Sequence, residues 1–135
     1  MKYVDLQDAL DIHDDIISEM QGLSGYNQTN LGYLDSALEN IQNDDFYPNF
    51  EDKLTHLMFS CIKFHPFNDG NKRTSIYLAM HFLKINDREN LLDDFAQKME
   101  DIVVRVAEDS LNKYELKEIL TDILKNTHKP KGPRR

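Results

Sequence analysis

A single cysteine, Cys61, stands in 135 residues, so no internal disulfide can brace the fold. In "HLMFSCIKF" it reads as a small core residue. No apolar run reaches the roughly 20 residues of a membrane span. The N-terminus, "MKYVDLQDALDIHDD", is acidic and amphipathic, which is not the pattern of a signal peptide. Cations are the scarcer sign. Sixteen Lys and Arg against 24 Asp and Glu leave a net charge of -8, which argues against a general nucleic-acid binder. The tail "HKPKGPRR" carries Lys129, Lys131, Arg134 and Arg135, so the rest of the chain is more acidic still. These shortages point to one cytoplasmic domain over 1–126, with no membrane contact and no direct nucleic-acid partner. A disordered basic tail is expected over 127–135.

What the chain has in quantity is apolar residues at helical spacing. Six helices are expected. The first runs over about Asp5–Met20, where Asp5 can cap and Leu6, Leu10, His13, Ile17 and Met20 share a face. The others cover about Leu31–Gln42, Glu51–Phe64, Gly70 or Asn71 to Ile85, Asp93–Asp109 and Lys113–Lys125. The third is apolar on most sides from Leu54 onward, so it should be buried. The segment "NDREN" breaks the pattern after the fourth. No strand of ordinary length shows alternation, although a short hairpin could form within 22–30 or 43–50. The fold class is therefore all-α.

Between the third and fourth helices lies "HPFNDGNKRT", residues 65–74. Pro66 disfavours helical geometry at His65 and ends the third helix. The start of the fourth helix offers unpaired N–H groups and partial positive charge. Gly70 allows backbone geometry that a side chain would forbid, and Asn71 can donate from its amide. Lys72 and Arg73 add full charges, which completes a phosphate-sized anion site. Asp69 would repel phosphate unless a divalent cation lay between them, as Mg²⁺ does in nucleotide sites. His65 can take a proton from a hydroxyl. Phe67, between polar neighbours, is expected to plug the core and fix the loop. Singly, each element has an ordinary structural explanation. Together at this spacing they fit phosphoryl or nucleotidyl transfer. Other histidines read differently. His13 lies on an apolar face as a satisfied core residue. His56 and His65, nine residues apart, do not share a helical face for zinc.

The stretch resembles the Fic/Doc family signature: His, any residue, Phe, any residue, an acidic residue, a small residue, Asn, Gly or Lys, Arg. His65, Phe67, Asp69, Gly70, Asn71, Lys72 and Arg73 all fit. "DIHDDII", "GLSGY" and "LDSALENIQ" are similar to Doc-type chains, and the resemblance extends over about Val4–Lys125. It implies a compact helical fold with His65 as base, Asp69 as Mg²⁺ ligand, Gly70 and Asn71 as anion hole, and Arg73 as phosphate clamp. Lys72 stands where Doc has lysine and Fic adenylyltransferases have glycine; Gly70 stands where Doc has alanine. The resemblance implies a toxin that moves the terminal phosphate of ATP to a target hydroxyl. AMP transfer, or a non-catalytic nucleotide- or antitoxin-binding module, is the alternative. It suggests a translation factor, elongation factor Tu, as target. The self-inhibitory motif of many Fic proteins has no match; "SALEN", residues 36–40, misses by one place and reads as ordinary helix. Control by an antitoxin in trans is the implied substitute.

Overall fold

The computed structural model describes residues 1–125; the expected basic tail, 127–135, lies outside the described residues. Six α-helices account for most of the chain: α1 (Leu6–Met20), α2 (Gln28–Asn40), α3 (Phe50–Lys63), α4 (Asn71–Ile85), α5 (Leu92–Ala107) and α6 (Lys113–Lys125). The fold is all-α, as the periodicity requires. No described helix is long and apolar enough to cross a membrane.

Local chemistry explains the helix ends. Asp5 caps α1 reciprocally with Asp8, each accepting the other's N–H at 2.9 Å. α2 starts at Gln28, earlier than the expected Leu31, because Asn27 Oδ1 accepts the Asn30 N–H at 2.9 Å. Asn112 and Glu115 cap α6 in the same reciprocal way. A single 3-10 turn, Glu89–Leu91, leads into α5 where only a break was expected. Asp87 holds φ +64 just before it, which ends α4 and redirects the chain.

The hairpin does not form among the described residues. The extended segment after α1 pairs with the loop before α4 instead of with itself. Tyr26 and Phe67 form one antiparallel bridge, with Asn27 N–H on Pro66 O at 2.9 Å and Asn68 N–H on Gly25 O at 3.0 Å. Residues 43–50 are mostly turns.

α3 packs against α2, α4, α5 and α6, while α4 packs against α1, α3 and α5. The core is built on Leu54, Leu57, Met58 and Cys61 of α3 and Leu78, Ala79, Phe82 and Leu83 of α4. Full burial of each large apolar side chain contributes about 1.5–3 kcal/mol. Phe95, Met99, Val103 and Val106 close this core from α5, and Leu116, Leu120 and Ile123 from α6. Burial pushes the Cys61 thiol up to about 12, so it behaves as a core residue and not as a nucleophile.

The α3–α6 contact carries a pH-sensitive pair. His56 stacks on Tyr47 with centroids 4.7 Å apart, and its Nδ1 lies 2.8 Å from Lys113 Nζ. Burial first, and the Lys113 charge second, bring His56 from 6.5 down to about 4. Between these two values the unfolded chain binds the proton and the folded chain does not, so stability falls as pH drops through that window. The urea midpoint should therefore decline from about pH 6.5 to about pH 4, and His56→Phe should flatten the decline. An unaltered slope in the variant would place the sensitivity elsewhere.

Candidate active site

The loop between α3 and α4 turns on two left-handed residues. His65, ahead of Pro66, has φ +52, uncommon outside glycine. This turn leaves the His65 side chain exposed while Pro66 and Phe67 go inward. Phe67 is only 1% exposed and stacks nearly flat on His13, with centroids 3.8 Å apart and 9° between planes. It is the plug the sequence suggested. Gly70, the N-cap of α4, has φ +80, where any side chain would be strained.

The Asn71 side-chain amide is buried and bonded within the loop. Oδ1 accepts the Phe67 N–H at 3.0 Å, and Nδ2 donates to Phe67 O at 2.8 Å. Those two bonds set which end of the amide is which. The remaining N–H then faces His65 Nδ1 at 3.2 Å. In this arrangement a neutral His65 accepts at Nδ1 and carries its hydrogen on Nε2. Sequence spacing could not show this, because the amide's partners are set by the loop's path. What Asn71 offers an anion is its backbone N–H. Thr74 N–H is the first to bond back, to Gly70 O at 2.9 Å, and the N–H groups of Asn71, Lys72 and Arg73 take no partner among the described residues.

Lys72 and Arg73 are exposed, and neither joins an ion pair among the described residues. Asp69 is half-buried, with Oδ1 on Gly70 N–H at 2.9 Å and Oδ2 on Leu23 N–H at 3.1 Å. Asp69, Gly70, Asn71 and Lys72 line two adjoining cavities. The larger, about 510 Å³, adds Arg73, Ile76, Tyr77 and Met20, with Ala96, Glu100, Val103 and Val104 of α5 opposite. The smaller, about 320 Å³, holds His65, Asn68, Lys63 and Ala107. Asp69, Gly70, Asn71 and Lys72 thus stand between the two cavities at the N-terminus of α4, with Arg73 on the larger and His65 on the smaller.

The α5 wall and Lys63 are the parts that sequence reading missed. Lys63, two residues before His65, lines the smaller cavity with its ammonium paired to Asp109. Its place in the last turn of α3 was the available signal. No group of three or more His, Cys, Asp or Glu among the described residues could hold a metal alone. One carboxylate facing an anion cradle fits Mg²⁺, which binds through one or two carboxylates together with phosphates and water.

The Fic/DOC family model matches residues 3–83, which span α1 to α4 and include the whole loop. The chain belongs to the Fic/DOC family. It is similar to Toxin Doc of Mycolicibacterium smegmatis (strain ATCC 700084 / mc(2)155), with 36% identity over 80 residues. That match covers 56% of this chain and 62% of the relative, less than two thirds of its length. Within this Fic/DOC chain, α5, which walls the larger cavity, lies beyond the residues the family model matches.

Proposed function

We propose that the chain is a Doc-like toxin that moves the γ-phosphate of ATP to a hydroxyl side chain of a target protein, and that an antitoxin restrains it in trans. The observation that carries this reading is the placement of His65, Asp69, Lys72 and Arg73 around two adjoining cavities at a helix N-terminus. The name of the similar toxin supports the toxin half of it.

Phosphoryl transfer needs mostly positioning and charge stabilisation, because charge spreads over the oxygens of the moving group. Arg73 grips phosphate oxygens with a planar fork, and Lys72 adds a point charge. The N–H groups of α4 complete the cradle. Asp69 would hold Mg²⁺, which when bound neutralises phosphate charge. The larger cavity, with Met20, Ile76, Tyr77 and Val104 on its walls, gives the nucleotide an apolar side. His65 takes the proton of the target hydroxyl. For that, its hydrogen has to sit on Nδ1, which gives up the Asn71 contact. The change costs about one hydrogen bond, roughly 0.5–1.5 kcal/mol, small beside what a positioned base supplies. The target class implied by the resemblance is a translation factor, with elongation factor Tu as first candidate. The antitoxin's mode is an amphipathic helix laid on the apolar side of the crevice.

AMP transfer is the second reading, favoured by the glycine at position 70, as in Fic enzymes. One experiment separates them: incubation with cell extract and ATP labelled at either the α or the γ phosphate. Label from the γ position on protein is expected. Label from the α position would overturn the kinase reading, and no label at all would leave a binding module. Lys72 fills volume that glycine leaves open and favours the γ-phosphate beside His65. Lys72→Gly should therefore weaken phosphate transfer and bring in an AMP adduct, scored by mass spectrometry of the modified target. An AMP adduct from the wild type would mean that Lys72 does not select the pose.

A further inference from the structure

Asp69 is held by residues far from its own motif. Leu23 N–H, just past α1, donates to its Oδ2 at 3.1 Å. His13, in the middle of α1 and 3% exposed, has Nε2 2.8 Å from the Asp69 carbonyl oxygen. Since a carbonyl can only accept, His13 carries its hydrogen on Nε2 and donates. The flat stack on Phe67 fixes the plane of that ring. Between these two tethers lies Gly22, whose own N–H donates to Ile17 O at 3.2 Å and closes α1.

Gly22 does not have a positive φ, so its backbone does not demand glycine. Its space does. A Cβ there would lie 2.6 Å from Asp69 Oδ2 and 3.4 Å from its Cγ, with Ile17 Cδ1 at 3.1 Å. The first of these distances is far inside van der Waals contact. Something has to shift, and the far end of the Asp69 side chain, held there by the Leu23 N–H, is the atom in closest contact. The carboxylate would turn off the Leu23 N–H and out of its present direction in the crevice. The fold itself would lose little, since no main-chain atom has to move.

We propose that Gly22 and His13 are positioning residues for Asp69, aiming its carboxylate at a divalent cation carried by the nucleotide's phosphates. The inference rests on the reading of Asp69 as the Mg²⁺ carboxylate, and it assigns duties to two residues outside the signature. Groups that orient a metal-binding carboxylate typically change metal affinity by roughly 10- to 100-fold when lost.

The test is a titration of Mn²⁺, read by electron paramagnetic resonance, into the full chain saturated with a non-hydrolysable ATP analogue. Wild type, Asp69→Asn, Gly22→Ala and His13→Phe are compared; the last keeps a ring against Phe67 and deletes the donor. Wild type should hold Mn²⁺ more tightly than the free analogue does, and Asp69→Asn should fall towards the analogue's own affinity. Gly22→Ala and His13→Phe should each weaken it, Gly22→Ala by roughly 10- to 100-fold. Affinity for the analogue without metal should stay at the wild-type value in both, which a general loss of structure would not allow. If Asp69→Asn weakens Mn²⁺ while Gly22→Ala and His13→Phe do not, the positioning role is wrong and the Asp69 reading stands. If wild type holds Mn²⁺ no more tightly than the free analogue, or Asp69→Asn holds it as well as wild type, the Asp69 reading fails and the inference goes with it. Should Gly22→Ala fail to fold, His13→Phe decides alone: weaker Mn²⁺ upholds the role, and wild-type affinity removes it.

Discussion

His65→Ala should slow phosphate transfer by roughly 10²–10⁴-fold while leaving ATP affinity near wild type. The His65 ring is exposed, so truncation removes no core packing. The cations and helix N–H groups that grip phosphate belong to α4 and stay in place. What disappears is the group that takes the hydroxyl proton. Backbone strain is the complication, since φ at His65 is +52 and alanine tolerates that region poorly. His65→Asn supplies the control, because asparagine accepts left-handed geometry yet is no base. Both variants should show the same loss in single-turnover transfer from γ-labelled ATP, with calorimetric nucleotide affinity unchanged. Wild-type rates in either variant would take His65 out of the mechanism.

Phe67→Ala should cost about 3–5 kcal/mol of folding stability, a large share of the 5–15 kcal/mol a domain of this kind has. Phe67 is 1% exposed, and its ring lies flat against His13. Its truncation opens a cavity at the meeting point of α1 and the loop. Alanine keeps the backbone groups of residue 67 that bond to Asn71, but the packed ring that holds this stretch of the loop against α1 is gone. Urea unfolding reads the first effect. The second appears as weaker nucleotide binding in conditions where the variant is still folded. A loss below about 1 kcal/mol would show that the site collapses around the missing ring.

The amino-acid sequence by itself determined the helices and grouped the candidate site residues. Apolar residues recur at helical spacing, Asp5 caps α1, and Pro66 with Gly70 ends one helix and begins the next. These are local effects, decided by neighbours within about one turn of chain, and so they can be read along the sequence. The signature's order placed His65, Asp69, Lys72 and Arg73 together for the same reason: they are close in the chain. Only the tertiary structure decided what each side chain faces. Asn71 has the composition of a ligand donor, but the path of the loop turns its amide onto Phe67 and His65. His13 reads as a satisfied core histidine, and it is one; that its partner is the Asp69 carbonyl depends on how α1 crosses the loop. The segment after α1 pairs with residues 66–68 and not with itself, because the loop presents it with free backbone groups. Glu100 and Val104 reach the larger cavity only because Phe95, Met99 and Val106 bury another stripe of α5 against the core. Such partners are distant in sequence, and packing of the whole core chooses them.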